Sequence, residues 1–208
     1  INDARLGVRP MPAAADVAAQ LDEIQAEVVR ARDIVRGLLD FARDRPFTVA
    51  QHDLAGVVRR AVALVRHDMG AAVRIVEDVP AGLQLPMDAQ RIQEVLINLL
   101  LNASQAMNGS GEVHISARVD EPAGMAELRV HDTGKGIAPE HLGRVFDPFF
   151  SLKPVGEGTG LGLSIAFGIV GKHKGTLEAQ SEPGQGACFT LRLPLAARRD
   201  ANVSGAES

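Results

Sequence analysis

Val17, Leu21, Ile24, Val28, Ala31, Val35, Leu38 and Ala42 recur at alternating spacings of four and three. This heptad period predicts a helix between Asp16, which can cap its start, and Pro46, which closes it, about thirty residues and ~45 Å long at 1.5 Å per residue. Such a stripe serves either as one long core helix of a monomer or as a partner in a coiled coil or helical bundle. Residues 1–8 read as the tail of a preceding helix, with Pro10 and Pro12 in the turn between the two.

From Phe47 onward the apolar period shortens and alternates between two values. Strands are predicted at 47–51, 73–78, 83–85, 112–119, 125–131, 175–181 and 187–193, and helices at 54–69, 88–107 and 160–173. The pattern predicts a two-layer α/β sandwich whose sheet is mixed and mostly antiparallel, because neighbouring strands read as hairpins. Three parts follow: a helical region 1–46, an α/β domain 47–195, and a tail 196–208 without apolar period, expected to be disordered. Lys172, His173 and Lys174 before Gly175 look like a helix C-terminus, where cations meet the dipole and Gly ends the turn. His173 is therefore expected to be a surface cap.

A content of 46% apolar residues is enough to bury a core, and a net charge of -4 gives no positive field for nucleic acid. No stretch resembles a membrane span, so no membrane contact is expected of this segment. The single cysteine, Cys188, cannot form an intrachain bridge, which suits a reducing compartment; its apolar strand predicts burial. The first residue is Ile, so the chain reads as a piece of something larger.

Glycine is unevenly placed, with 12 of the 21 glycines between Gly134 and Gly186, where backbone must bend around something. In helix 88–107, Ile92, Val95, Leu96, Leu99, Ala103 and Met107 form an apolar face, while Glu94, Asn98 and Asn102 share a polar stripe. That stripe fits a solvated surface, or a cation held by hard carboxamide oxygens of the kind Mg²⁺ accepts. A strand ending at Asp132 runs into Asp132-Thr-Gly-Lys-Gly-Ile137. Alone this is a common turn, but it also sets a carboxylate that can accept from an amino group beneath flexible backbone. Gly158, Gly160 and Gly162 open a helix with apolar Leu161 and Leu163, so free N–H groups and the positive dipole end form an anion cradle. Between them lie Phe146, Phe149 and Phe150, three of seven Phe in a chain lacking Trp and Tyr, followed by Lys153.

Other chemistries fail on spacing. There is no Gly-x-x-x-x-Gly-Lys-Ser/Thr loop, no Gly-x-Gly-x-x-Gly, no strand-Lys, His-Arg-Asp and Asp-Phe-Gly set, no Gly-x-Ser-x-Gly around Ser164, and no zinc spacing of Cys and His.

Glu94-x-x-x-Asn98-Leu-x-x-Asn102-Ala103, Asp132-Thr-Gly-Lys-Gly-Ile137, Phe146-Asp-Pro-Phe-Phe150 and Gly156-Glu-Gly-Thr-Gly-Leu-Gly-Leu163 resemble, in order, the N, G1, F and G2 boxes of sensor histidine kinases, whose ATP site is of the Bergerat type. The stretch Phe-Phe-Ser-Leu-Lys153-Pro looks most like the nitrogen-regulation and dicarboxylate-sensor branch, and Ala31 to Arg43 looks like the second helix of a dimerisation hairpin. The resemblance spans roughly residues 17–195.

The resemblance implies ATP and Mg²⁺ as cofactors. It assigns Asp132 to the adenine amine, with Gly134, Lys135, Gly136 and Ile137 around the base. Asn102 and Asn98 fall to the metal or its water, Phe150 to the lid, and Lys153 to the β- or γ-phosphate. Gly158, Thr159, Gly160, Leu161 and Gly162 fall to the triphosphate. Glu94, Asn98 and Lys153 would be the catalytic set. It further implies γ-phosphoryl transfer to a His, onward transfer to the Asp of a response-regulator receiver domain, homodimerisation through the long helix, and a cytoplasmic site of action, with or without an inner-membrane anchor.

Two departures bear on this. Many branches carry Lys three residues after the second Asn, where this chain has Gln105; Lys153 can replace that charge. None of His52, His67, His114, His131, His141 and His173 lies in the His-Glu context of a phosphoacceptor helix, so the acceptor is expected from elsewhere. His141 is read as structural or exposed. Related ATPases such as gyrase B and the large heat-shock chaperones carry a Glu where this chain has Asn98, and an amide is no general base, so hydrolysis is expected to be slow. A serine kinase of the same fold, a true ATPase and a nucleotide-gated interaction module remain the alternatives.

Overall fold

A computed structural model describes residues 24, 25, 28, 46–153 and 158–196. The heptad seam, the preceding turn and the tail lie largely outside these residues; of the seam, Ile24 and Val28 are helical and exposed.

The elements are β1 (Ala50–Asp53), α1 (Leu54–Val65), β2 (Ala72–Asp78), β3 (Gln84–Met87), α2 (Ala89–Ala106), β4 (Ser110–Asp120), β5 (Met125–Asp132), α3 (Pro139–Leu142), α4 (Gly162–Lys172), β6 (Thr176–Ser181) and β7 (Ala187–Pro194). Five strands form the main sheet in the order β2-β4-β5-β7-β6, and β1 pairs with β3 in a separate antiparallel ribbon. Every pair in the main sheet is antiparallel except β2 with β4, where Ile75 stands beside Val113. This is the mixed, mostly antiparallel sandwich expected. The parallel pair is invisible to periodicity, because β3 and α2 separate its two strands in sequence.

Local chemistry starts both long helices. Asp53 accepts from the Gly56 N–H at 3.0 Å and Asp88 from the Arg91 N–H at 3.2 Å, each satisfying an amide that the first turn leaves open. The apolar face read from sequence is the buried face: Ile92, Val95, Leu96, Leu99 and Ala103 pack with Leu54, Val57 and Val58 of α1 and with Val113, Ile115, Leu128, Val130 and Leu191 of the sheet. On the other sheet face Glu127, 3% exposed, sits among Arg118, Arg129 and Arg192 at 2.7 to 3.0 Å. Burial raises this carboxyl, but hydrogen bonds from Arg129 and Arg192 and the charges of Arg129 and Arg118 outweigh it and hold it below its ordinary value.

Two element boundaries differ from those expected. The first strand begins at Ala50 and not at residue 47, and the helix after it ends at Val65, leaving Met69 buried in the following turn. The short α3, begun by Pro139 at its N-terminus, falls in a stretch for which no element is expected from the sequence. Cys188 is half-buried on the outer sheet face opposite His131, not in the core.

His173 is the C-cap of α4, as expected, but it is 6% exposed and not at the surface. Its Nδ1–H donates to Ile169 O at 2.8 Å, which leaves Nε2 to accept the Asp88 N–H at 2.9 Å, and Phe47 packs edge-on with ring centroids 4.6 Å apart. Thr48 N–H donates to the same Asp88 carboxylate at 3.2 Å. One side chain therefore joins the C-terminus of α4, the cap of α2 and the entry to the domain.

Burial lowers the His173 pKa, the Ile169 bond and Asp88 charge opposing more weakly. A lowered native pKa means stability fully present above the ordinary 6.5 and lost as pH falls below it toward the native value. His173→Phe keeps the ring but strands the Asp88 N–H, and is expected to cost about 1–3 kcal/mol at pH 8 and to flatten this acid slope. Urea midpoints from pH 5 to 8 measure both; an unchanged slope refutes the assignment.

Candidate functional site

The polar stripe faces a cleft of about 1400 Å³. Glu94, Asn98 and Asn102 line one wall, and Gln105 extends the row along α2. Asp132, Ala187 and Phe189 line it from the sheet, Lys135, Gly136 and Ile137 from the loop after β5, and Phe150, Lys153, Gly158, Thr159, Gly160 and Gly162 from the segments before α4. Two expected residues do not line it. Gly134 is buried behind Asp132, and Leu161 is buried at the cap of α4, its N–H donating to Thr159 Oγ1 at 3.3 Å. Both shape the loops instead of facing the space.

Asp132 is 3% exposed. Its Oδ1 accepts from Gly134 N–H at 2.8 Å and Ala187 N–H at 3.4 Å. Burial raises its pKa, with these two bonds and the His131 charge acting in the opposite direction more weakly. A buried carboxylate at the bottom of a cleft is costly, which makes Asp132 a candidate recognition group.

A segment that sequence reasoning passed over supports this end. The turn between β6 and β7 folds under the 133–137 loop: Ile137 N–H donates to Ser181 Oγ at 2.8 Å, Ser181 Oγ donates to Gly186 O at 2.5 Å, and Gly184 N–H donates to Lys135 O at 2.8 Å. Ser181-Glu-Pro-Gly-Gln-Gly186 signals a hairpin turn, but nothing local says which loop it will touch.

At the other end, a Cβ on Gly162 would stand 3.4 Å from Asn98 Oδ1, so the first residue of α4 meets the carboxamide stripe. Gly160 has φ +65 and any Cβ there would overlap Phe149 backbone at 2.4 Å, while Phe149 N–H donates to Gly160 O at 3.0 Å. Glycine is required here to let the two segments close.

The three Phe separate into different roles. Phe146 packs on Phe167 and Phe189, with centroids 5.3 and 6.4 Å away. Phe149 is exposed, at φ +66. Phe150 alone lines the cleft, with the Arg144 guanidinium 4.6 Å from its ring and His141 beside it. Glu94 pairs with Arg91 at 3.4 Å, and the Lys153 ammonium donates to Gln105 Oε1.

Residues 87–197, over half of the chain, match the family described as histidine kinase-, DNA gyrase B- and HSP90-like ATPases. The chain belongs to this family. It is 37% identical over 173 residues to the sensor histidine kinase ZraS of Klebsiella oxytoca, covering 81% of this chain and 36% of that one. It is 36% identical over 190 residues to the two-component sensor PprA of Pseudomonas aeruginosa, covering 88% and 20%. The chain thus spans about a third or less of these relatives.

Among solved structures, the mycobacterial sensor histidine kinase MprB superposes with TM-score 0.63 at 28% identity, over 71% of this chain and 97% of that one. Full-length ShkA in complex with AMPPNP superposes with TM-score 0.68 at 26%, over 88% and 39%. ThkA in complex with the response regulator TrrA, at 22% identity and TM-score 0.70 over 96% and 55%, shares the fold. The sandwich is that of histidine kinase catalytic domains.

Proposed function

We propose that this chain binds ATP with Mg²⁺ in the cleft along α2 and passes the γ-phosphoryl group to a histidine of a dimerisation hairpin, from which it moves to the aspartate of a response-regulator receiver domain. One observation carries this reading: Asn98, Asn102, Asp132, Ile137, Lys153 and the glycines Gly158, Gly160 and Gly162, scattered over 65 positions, line one cleft. ShkA with AMPPNP and ThkA with its response regulator support the nucleotide and the partner by analogy.

In this reading the Asp132 carboxylate accepts from the exocyclic amine of adenine, and Ile137 and Phe189 flank the base. The N–H groups before and at the start of α4 face the phosphates, where the helix dipole favours negative charge. Among the described residues no group of three His, Cys, Asp or Glu can hold a metal, so an ion here relies on the Asn98 and Asn102 carboxamides and on the nucleotide's own phosphates. Held by Asn98 and Asn102, such an ion would supply positive charge against the phosphates. Glu94, tied to Arg91, orients the start of this row. Asn98 cannot take a proton from water, so the γ-phosphoryl is kept for a positioned imidazole. The imidazole nitrogen forms the new P–N bond as the P–O bond to ADP breaks, and the other ring nitrogen releases its proton.

Residues 1–46 would then belong to the dimerisation region and 47–195 to the catalytic domain, the intact protein acting as a homodimer in the cytoplasm or anchored at the inner membrane. No described helix is long and apolar enough to cross a membrane.

Calorimetry with Mg²⁺ and ATP, followed by incubation with an added His-bearing hairpin, tests the reading. Acid-labile, base-stable label on the hairpin is expected. Acid-stable label means a serine kinase, phosphate release alone an ATPase, and binding without either a gated interaction module. Asn102→Ala is expected to bind ATP without any strengthening by Mg²⁺; an undiminished Mg²⁺ effect sinks the metal assignment.

A further inference from the structure

Asn98, Asn102 and Gln105 follow each other at four and three residues, so they stand on one face of α2, and all three line the cleft. Lys153 crosses to that face from the segment before α4. Its backbone N–H donates to Ser151 Oγ at 3.2 Å, its Cδ lies 3.0 Å from where a Cβ on Gly158 would be, and its ammonium donates to Gln105 Oε1. Backbone and head are each held by a hydrogen bond, and the missing side chain of Gly158 leaves room for the stem.

We infer that Gln105 is a positioning residue for Lys153, seating its ammonium beside the carboxamide row so that the cation meets the terminal phosphate of a nucleoside triphosphate. The inference rests on the nucleotide reading above and deepens it, since it names the group that distinguishes triphosphate from diphosphate. Residue chemistry explains the choice of Gln. A carboxamide oxygen accepts a charge-assisted bond from the ammonium yet leaves its full positive charge available to the phosphate. A carboxylate at 105 would neutralise Lys153 and repel the triphosphate, and an alanine would release a four-carbon stem with many rotamers.

The test is a double-mutant cycle on this chain, with Mg·AMPPNP and Mg·ADP as calorimetric probes. Both residues lie at the cleft surface and outside the core, so equal thermal midpoints are expected for all variants. Lys153→Ala is expected to lower the ratio of AMPPNP to ADP affinity about tenfold, the loss of one hydrogen bond to a charged group. Gln105→Ala alone is expected to lower the same ratio about threefold, and in its background Lys153→Ala adds only about threefold more, because contacting residues couple. A full tenfold effect of Lys153→Ala in both backgrounds overturns the inference while leaving the nucleotide reading intact. Failure of the folded parent to bind either probe overturns the nucleotide reading itself, and the inference with it.

Discussion

Asp132→Asn is expected to lower affinity for adenine nucleotides by about 10- to 100-fold, the 1.5–3 kcal/mol of a hydrogen bond to a charged acceptor, if Asp132 receives the adenine amine as proposed. The substitution keeps the size of the side chain and an oxygen for the Gly134 and Ala187 N–H groups, so the loop after β5 retains its anchor. What disappears is the negative charge. Because burial raises the Asp132 pKa above its ordinary 3.8, the ionised form costs the native state stability at every pH above the raised value. As pH falls through that value toward 3.8, the parent takes up a proton in the native state first and regains that stability. The Asn variant is therefore expected to be more stable than the parent at pH 7, and the difference to shrink on acidification. Under the proposed adenine assignment, nucleotide binding is expected to move the opposite way, weakening in the parent as Asp132 protonates and not responding to this group in the variant. Urea unfolding and calorimetry across pH measure the two effects separately. A variant that binds ADP as tightly as the parent would refute the adenine assignment, and one that is less stable at pH 7 would refute the burial argument. A residue that improves binding at the expense of the fold is what a recognition site is expected to contain.

Gly186→Ala destabilises the domain by about 3 kcal/mol or more, combining a positive φ with steric overlap that the core cannot relieve. Its φ is +75, and a Cβ there would stand 1.8 Å from the Asp132 carbonyl oxygen and 3.1 Å from Thr133 Cα. Relief requires the turn between β6 and β7 to withdraw from the loop after β5. That withdrawal breaks the chain running through Ile137, Ser181 and Gly186, together with the Ala187 bond to Asp132. Lower thermal midpoint and loss of nucleotide binding should therefore arrive together. Gly184 offers the internal control: it also has positive φ, +79, but nothing lies within 4 Å of its Cβ position. Gly184→Ala is expected to lose only the conformational part, about 1 kcal/mol. Equal losses at the two positions would show that the close approach to Asp132 does not matter.

Much of this architecture is legible along the chain. Alternating apolar residues from 125 to 131 and from 187 to 193 become β5 and β7, and the 88–107 period becomes α2 with its buried face and its Asp88 cap. These properties are set within a few residues, by side-chain direction and by the amides a helix start leaves unpaired. The four motif words, and through them the family, are likewise contiguous in sequence.

Other features depend on which distant segments meet. His173 sits in a cationic run that locally suits a surface, yet the layer packing brings Asp88 and Phe47 over it and makes it a buried acceptor. Phe146 and Phe150, four residues apart, go to the core side and to the cleft because the chain turns between them, with Phe149 at φ +66 and the Phe150 N–H donating to Asp147 O at 3.2 Å. The hairpin turn at 181–187 becomes the underside of the Asp132 pocket only once β7 pairs with β5, in a register that sets Cys188 opposite His131 and Ala187 next to the carboxylate. Periodicity and motif chemistry therefore wrote the elements, the capped helices and the family into this chain. The pocket's depth, its supporting turn and the burial of Asp132 and His173 came from long-range pairing, since burial is a property of the neighbours a residue acquires and no local pattern encodes them.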